Sequence, residues 1–300
     1  MTVPPLVPRG GTELDDENVL PEDGRMNHPL TAGADARLAA YAAALVQAEQ
    51  TREPILPISE IDPAFTIEDA YAVQRTVLRD RLERGERVVG RKVGLTSDAM
   101  RRQLAVDQPD FGVITDGMVV ANAGTLDGAR LIAPRAEAEI AFRIGRDLPP
   151  SPSLEAIVSA IDGVLVAIEV IDSRIVDWRI TLVDTVADNA SSARIVCGEA
   201  VPATPELLAS LPDLVVSMHR DGTEVSRGRG AAVLGHPVSA IFWLAGAIGA
   251  FGDSLRAGDI VLAGAVDVSV ALTPGSDWTV RAAGFPAVTM TVTAGSEARA

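Results

Sequence analysis

From Ala34 onward, apolar residues recur at helical spacing, and Leu38, Tyr41, Ala42 and Leu45 fall on one stripe, which predicts an amphipathic helix. A second helix is predicted to open at Thr66, where Thr66 and Asp69 have the spacing of a capping pair, and to run through Tyr71, Leu78 and Leu82 to Gly85. Beyond Gly85 the pattern breaks into short apolar segments separated by Gly, Pro and Asp, as expected for strands. Strands are expected near residues 87–94, 112–120, 129–144, 163–173, 193–197, 213–227, 258–264, 268–272 and 278–293, and helices over 153–161 and 237–250. Asp221-Gly222, between Val215–Arg220 and Thr223–Ser226, has the composition of a hairpin turn. Many strands with few intervening helices favour an α+β fold with a mixed β-roll or barrel-like core over a doubly wound parallel sheet.

Three regions follow from this pattern. Residues 1–33 are rich in proline and acidic side chains without apolar periodicity, and read as a disordered or loosely attached extension. Residues 34–87 form a small helical unit, and 88–300 the β-roll domain. With 300 residues and 47% hydrophobic content, the chain has enough apolar material for a sizeable core.

Charge narrows the partners. The 26 basic against 41 acidic residues leave a formal charge of -15, which argues against nucleic acid and against anionic membrane surfaces. A small anionic substrate would meet the same repulsion, so a site for one needs a local cation. Cys197 is the only cysteine, which rules out an internal disulfide and a thiolate zinc site, and suits a reducing compartment. Its simplest role is that of a small buried apolar residue. The opening residues lack a basic leader with an apolar stretch, and no apolar run reaches about 18 residues. The expectation is a soluble, cytoplasmic protein.

Candidate chemistry centres on three glutamates. Glu137 and Glu139 lie two apart in Arg135-Ala-Glu-Ala-Glu-Ile-Ala-Phe142, so a strand would put both on one face, their α-carbons roughly 7 Å apart. Glu169 stands alone in the apolar run Gly163–Ile171, where a buried carboxylate is costly without a counter-charge. A divalent cation would supply it, and three carboxylates with open positions suit Mg²⁺ or Mn²⁺ and a chelating substrate. Glu-x-Glu by itself equally fits a solvated strand face. Lys92, in Gly90-Arg-Lys-Val-Gly-Leu-Thr96, sits where a strand ends at glycine and can point into a cleft; as a lone lysine it also fits the surface. Asp110, in Asp107-Gln-Pro-Asp-Phe-Gly112, has a turn-forming alternative.

Other chemistries find little support. His28 lies in the extension, His219 beside a hairpin and His236 in a helix-opening turn, none paired with an evident nucleophile. Neither Gly-x-Ser-x-Gly nor a Walker loop occurs, and Gly228–Gly235 is too loosely spaced for a dinucleotide fingerprint. Trp178, Trp243 and Trp278 are scattered and are assigned to packing.

Five segments in order, Gly90-Arg-Lys-Val-Gly-Leu-Thr-Ser97, Val106-Asp-Gln-Pro-Asp-Phe-Gly112, Pro134-Arg-Ala-Glu-Ala-Glu-Ile140, Val183–Ser191 and Ser226–Pro237, give the chain a close resemblance to the 2-keto-4-pentenoate (2-hydroxypenta-2,4-dienoate) hydratases of the fumarylacetoacetate hydrolase superfamily, from about Thr66 to Val292. The resemblance implies a rolled mixed sheet holding a divalent metal, with Glu137, Glu139 and Glu169 as ligands, Lys92 as general acid/base and Asp110 as its partner. It also places Leu95 and Ser191 against the substrate, a small anionic 2-hydroxy or 2-oxo dienoate. Mg²⁺ or Mn²⁺ would be the cofactor, and a homo-oligomer the assembly. The implied setting is meta-cleavage catabolism of aromatic or steroid rings, with water addition giving a 4-hydroxy-2-oxoalkanoate. A 4-oxalocrotonate decarboxylase of the same fold is the alternative, and it would need a cation at the far end of the pocket, for which Arg174, Arg194 and Arg227 are candidates. Acylpyruvate hydrolysis lacks a convincing His-Glu pair, and a non-catalytic subunit would have lost a ligand or Lys92. The chain departs from many relatives at Leu262-Ala-Gly-Ala-Val-Asp-Val268, which bears on substrate tail preference.

Overall fold

A computed structural model describes residues 32–97, 101, 106 and 108–293. Ala32 and Gly33 already belong to the first helix; the rest of the expected extension, with His28, lies outside the described residues. The N-terminal unit comprises α1 (Ala32–Thr51), α2 (Ile58–Ile61) and α3 (Ile67–Glu83). Thr66 caps α3 as expected: its side chain accepts from the Asp69 N–H while the Asp69 carboxylate accepts from the Thr66 N–H. Leu38, Ala42 and Leu45 are buried against Phe65, Ala70 and Val73, and this small core extends to Ile175, Val186 and Ala187 of the sheet domain. The Gln74 amide fixes the junction, donating to the carbonyls of Phe111 (2.9 Å) and Val186 (3.0 Å).

The sheet domain begins with β1 (Val88–Gly94), β2 (Asp110–Thr115), β3 (Val119–Val120) and β4 (Gly124–Asp127). It continues through β5 (Arg135–Ile144), α4 (Leu154–Ala160), β6 (Ile161–Ile171), α5 (Leu182–Ala187), β7 (Ser192–Cys197), β8 (Val201–Pro202) and α6 (Pro205–Ser210). The remaining elements are β9 (Val215–Arg220), β10 (Thr223–Arg229), α7 (Pro237–Gly249), β11 (Ile260–Ala265), β12 (Val270–Ala271), β13 (Asp277–Ala282) and β14 (Val288–Thr293).

Among the described residues, the larger sheet has the order β2-β1-β11-β5-β6-β7-β3, with β12 added to β5 and β8 to β6. It is mixed, because β1–β11 and β3–β7 are parallel while β1–β2, β11–β5, β5–β6 and β6–β7 are antiparallel. The smaller sheet, β10-β9-β13-β14-β4, packs on one face of β5, β6 and β7. The expected α+β class with its mixed β-roll core is therefore observed.

Strand alternation sorts the two faces. Ala136, Ala138, Ile140 and Phe142 of β5 join Val164, Val166, Ile168 and Val170 of β6 in the core beneath the smaller sheet, where Trp278, Met218 and Met290 fill the space. Each of the Val, Ile, Phe and Met side chains contributes about 1.5–3 kcal/mol by leaving water. The opposite face has a smaller apolar floor of Ala141, Leu165, Ala167, Ile195 and Leu262. Cys197, expected to be a small buried apolar residue, is partly buried and packs against the edge of that floor. Glu137, Glu139 and Glu169 share this second face with the floor residues.

Several expected elements differ in extent. The 112–120 strand breaks at a 3-10 turn, Asp116–Met118, and the 129–144 strand starts only after Pro134, which has no N–H for a ladder. The 268–272 strand shrinks to Val270–Ala271, and 278–293 is two strands parted at Gly284, whose φ of +83° turns the chain. Helices α5 and α6 were not expected. Gly230–Gly249 has a membrane-span length and a mean hydropathy of 1.6, yet it is a 3-10 turn, a loop and α7 in succession. Val238, Ile241, Leu244 and Ile248 of α7 are packed in the main core.

Candidate active site and metal centre

Antiparallel pairing of β5 with β6 sets Glu137 directly opposite Glu169, and pairing of β11 with β5 sets Ala265 opposite Glu139. One carboxylate oxygen from each glutamate lies within 4.8 Å of the others. That matches the roughly 4–5 Å across an ion whose oxygen ligands stand at 2.0–2.6 Å. All three are buried, Glu169 completely. Among the described residues neither Glu169 oxygen has a hydrogen-bond partner; Lys92 Nζ meets Oε2 at 3.5 Å, a charge contact rather than a hydrogen bond. Glu139 Oε2 accepts from the Gly264 N–H at 2.8 Å. Gly264 has a φ of +115°, and a side chain there would overlap Thr96.

Lys92 and Asp110 join this group from the neighbouring strand pair. In the β1–β2 ladder Asp110 faces Gly94, and a Cβ on Gly94 would overlap Asp110 Oδ1 and come within 3.4 Å of Lys92 Nζ. The glycine therefore leaves room for the carboxylate and the ammonium. Thr185 Oγ1, on α5, donates to Asp110 Oδ2 at 3.3 Å, whereas Oδ1 has no partner among the described residues.

Electrostatics favour a cation here. Burial pulls the Lys92 ammonium down, but Glu169, Asp110, Glu137 and Glu139 outweigh it and hold its pKa above the ordinary value. Burial, reinforced by Glu169, pushes Glu137 up to about 7, Lys92 and Arg135 opposing the shift. Burial raises Glu139 well above the carboxylate range, with Glu169 and Glu137 adding to it. Asp110 is raised by burial against the pull of Lys92. Four carboxylates around one lysine form a buried cluster short of positive charge, and the donor set is all oxygen. Such a set fits a hard divalent ion.

A cavity of about 540 Å³ opens onto the cluster, lined by Lys92, Asp110, Glu137, Leu95 and Ser191 among others. Glu139 and Glu169 are not part of its lining. Backbone strain gathers at its wall: Leu95, Asp177, Trp178, Ala190 and Ser191 all have φ near +50 to +56°. Ser191 Oγ is buried without a partner among the described residues. Asn189, also left-handed, holds this stretch by bonding both ways to Val113, accepting from its N–H (2.8 Å) and donating to its carbonyl (2.9 Å).

Some expectations need correction. Trp178 is not merely packing: it lines the cavity, and its indole N–H donates to the Ala133 carbonyl at 3.0 Å. Trp278 does lie in the core. None of Arg174, Arg194 and Arg227 lines the cavity; Arg174 pairs with Asp188 and Arg227 with Glu224. Arg135 lines it instead, and sequence reading passed over it although it begins the segment holding Glu137.

Residues 89–293 match the model of the fumarylacetoacetate (FAA) hydrolase C-terminal family. The chain belongs to the fumarylacetoacetate hydrolase family. It is 44% identical over 235 residues to the 2-keto-4-pentenoate hydratase of Paraburkholderia xenovorans, covering 78% of this chain and 87% of that one. It is 41% identical over 227 residues to the 2-hydroxyhexa-2,4-dienoate hydratase of Comamonas testosteroni, covering 74% and 84%. Among solved structures, the 4-oxalocrotonate decarboxylase of Pseudomonas putida G7, in complex with magnesium and adipate, is similar with a TM-score of 0.82 and 35% identity, covering 86% and 98%.

Proposed function

We propose that this family member is a divalent-metal-dependent hydratase that adds water to 2-hydroxypenta-2,4-dienoate, or to a longer homologue, giving a 4-hydroxy-2-oxoalkanoate. The observation that carries the reading is the convergence of three buried glutamates with Lys92 and Asp110 at one cavity, in a chain more than 40% identical to named dienoate hydratases. Glu137, Glu139 and Glu169 would hold Mg²⁺ or Mn²⁺. Such an ion supplies Lewis-acid stabilisation to an enolate forming on a substrate with paired oxygens.

The other residues would handle protons and position. The 2-hydroxyl proton leaves and one is added at carbon 5, which gives the 2-oxo-3-enoate; water then adds at carbon 4 and a proton at carbon 3. Lys92, kept charged by its carboxylate neighbours, can donate, and Asp110, its pKa raised by burial, can take the proton back. Leu95 and Ser191 would contact the substrate from the strained wall. The helical unit over 34–87 would buttress a metal-binding catalytic domain over 88–300. A cytoplasmic homo-oligomer in aromatic or steroid-ring meta-cleavage catabolism is the expected setting. Phe242, exposed on α7, offers apolar surface that a second copy would cover.

Decarboxylation of 4-oxalocrotonate is the second reading, favoured by the likeness to the decarboxylase structure. Incubating protein and Mg²⁺ or Mn²⁺ separately with 2-hydroxypenta-2,4-dienoate and its 5-carboxylated analogue, 2-hydroxyhexa-2,4-dienedioate, while following dienol absorbance and carbon dioxide, separates the two. Loss of dienol absorbance without carbon dioxide supports the hydratase; carbon dioxide release from the analogue alone overturns it.

A further inference from the structure

Arg135 opens β5 two residues before Glu137, so its side chain leaves the strand on the face that carries the glutamates. It is half-buried, lines the cavity, and is held in one orientation by Ser269, the residue before β12, which pairs with β5. Its Nε donates to Ser269 Oγ at 2.7 Å and one terminal nitrogen donates to the Ser269 carbonyl at 2.8 Å. Two of the guanidinium's five N–H groups are used in this way. Among the described residues no carboxylate lies within ion-pair distance of it. Lys92, the other cation of the lining, is already engaged by Glu169.

The remaining charges make this informative. Asp110, Glu137 and Asp177 also line the cavity, so an anion entering it meets mostly negative side chains. A fixed guanidinium with N–H groups to spare is the usual protein answer to a carboxylate, offering charge and a forked donor set together.

Building on the functional reading above, we infer that Arg135 is a substrate-binding residue that receives a carboxylate of the bound 2-oxo or 2-hydroxy acid, with Ser269 as its positioning residue. The carboxylate is either the one beside the 2-oxygen or a second one at the end of a longer substrate. Ser269 directly follows the segment in which this chain departs from many relatives.

The test is calorimetric titration of the Mg²⁺-loaded wild type, Arg135→Met, Arg135→Lys and Ser269→Ala with 2-oxopentanoate and with 2-oxohexanedioate. Arg135→Met is expected to weaken binding about tenfold or more, in the range for a lost charge-assisted hydrogen bond. Arg135→Lys, with charge but no fork, and Ser269→Ala, with a fork no longer held, should each lose less. Loss for both acids assigns the contact to the carboxylate beside the 2-oxygen, and loss for the diacid alone assigns it to the distal one. Unchanged affinity for both acids in a folded Arg135→Met protein overturns the inference while leaving the hydratase reading intact. Should Arg135→Met not fold by circular dichroism, the other two variants decide on the same comparison. If the wild type binds neither acid, the functional reading falls and the inference falls with it.

Discussion

Glu137 and Glu169 are direct cross-strand partners, two buried carboxylates facing one another across the β5–β6 ladder. Like charges so placed destabilise a sheet, and here low polarity adds to the cost. The pair therefore works against the metal-free fold. Glu169→Gln is expected to weaken Mn²⁺ binding at least about a hundredfold, by calorimetry, while the metal-free melting temperature stays equal to or above that of the wild type. A fall of several degrees would instead mean that Glu169 serves the fold through Lys92.

The same cluster sets a pH dependence. Burial and then Glu169 raise Glu137 to about 7 from an ordinary value of 4.5, so across that window the native state binds more protons than the unfolded state. Through Glu137 alone stability falls as pH rises from about 5 to about 7, by on the order of 3 kcal/mol, and Glu139, raised well above its ordinary value, carries the fall to higher pH. Urea midpoints of metal-stripped protein at pH 5, 6, 7 and 8 should show that slope, and Glu137→Gln should flatten it. Because an ion competes with the proton, Mn²⁺ affinity should rise over the same interval.

Gly94 offers a steric test of the Lys92–Asp110 pairing. Its φ is not in the left-handed region, so alanine is conformationally acceptable, but the added methyl overlaps Asp110 Oδ1. Gly94→Ala should lower kcat about a hundredfold, the cost of roughly 1 Å of misplacement at a reacting centre. Mn²⁺ affinity should change little, since the glutamates are on other strands. Lys92→Ala should likewise bind metal and lose turnover; steady-state kinetics beside calorimetry checks both.

The three glutamates were legible because each breaks a local pattern: alternation puts Glu137 and Glu139 together, and Glu169 interrupts an unbroken apolar run. The core strands and α3 were legible for the same reason, since periodicity and the Thr66–Asp69 cap are local signals. Helix α5 carried a similar signal at Thr181 and Asp184, whose carboxylate accepts from the Thr181 N–H and hydroxyl, and it went unread in so short a segment. The turn between β13 and β14 was likewise marked by Gly284 and Pro286. Gly94 and Thr185 were not legible, because their roles exist only once β1, β2 and α5 are brought together; Arg135 shares the Glu137 face by alternation, and only its contact with Ser269 needed the fold. The left-handed run Asn189-Ala-Ser191 contains no glycine, so nothing local announced it.

Asn189 gives that run its support. Its amide satisfies both backbone groups of Val113 on the edge strand β2, as a neighbouring strand would, and asparagine tolerates a φ of +55° better than alanine does. Asn189→Ala should therefore cost about 2–4 kcal/mol, combining two unpaired backbone groups with a poorer left-handed residue. The melting temperature should drop by roughly 5–10 °C. Ser191→Ala isolates the functional part. The Ser191 hydroxyl is buried without a partner among the described residues, so removing it should leave stability equal or slightly higher. If that hydroxyl meets the substrate, KM should rise in both variants, and thermal melts beside kinetics will show whether a KM change can occur without a stability loss. A stable Ser191→Ala enzyme with unaltered KM would restrict the Asn189 clamp to holding the edge of the sheet.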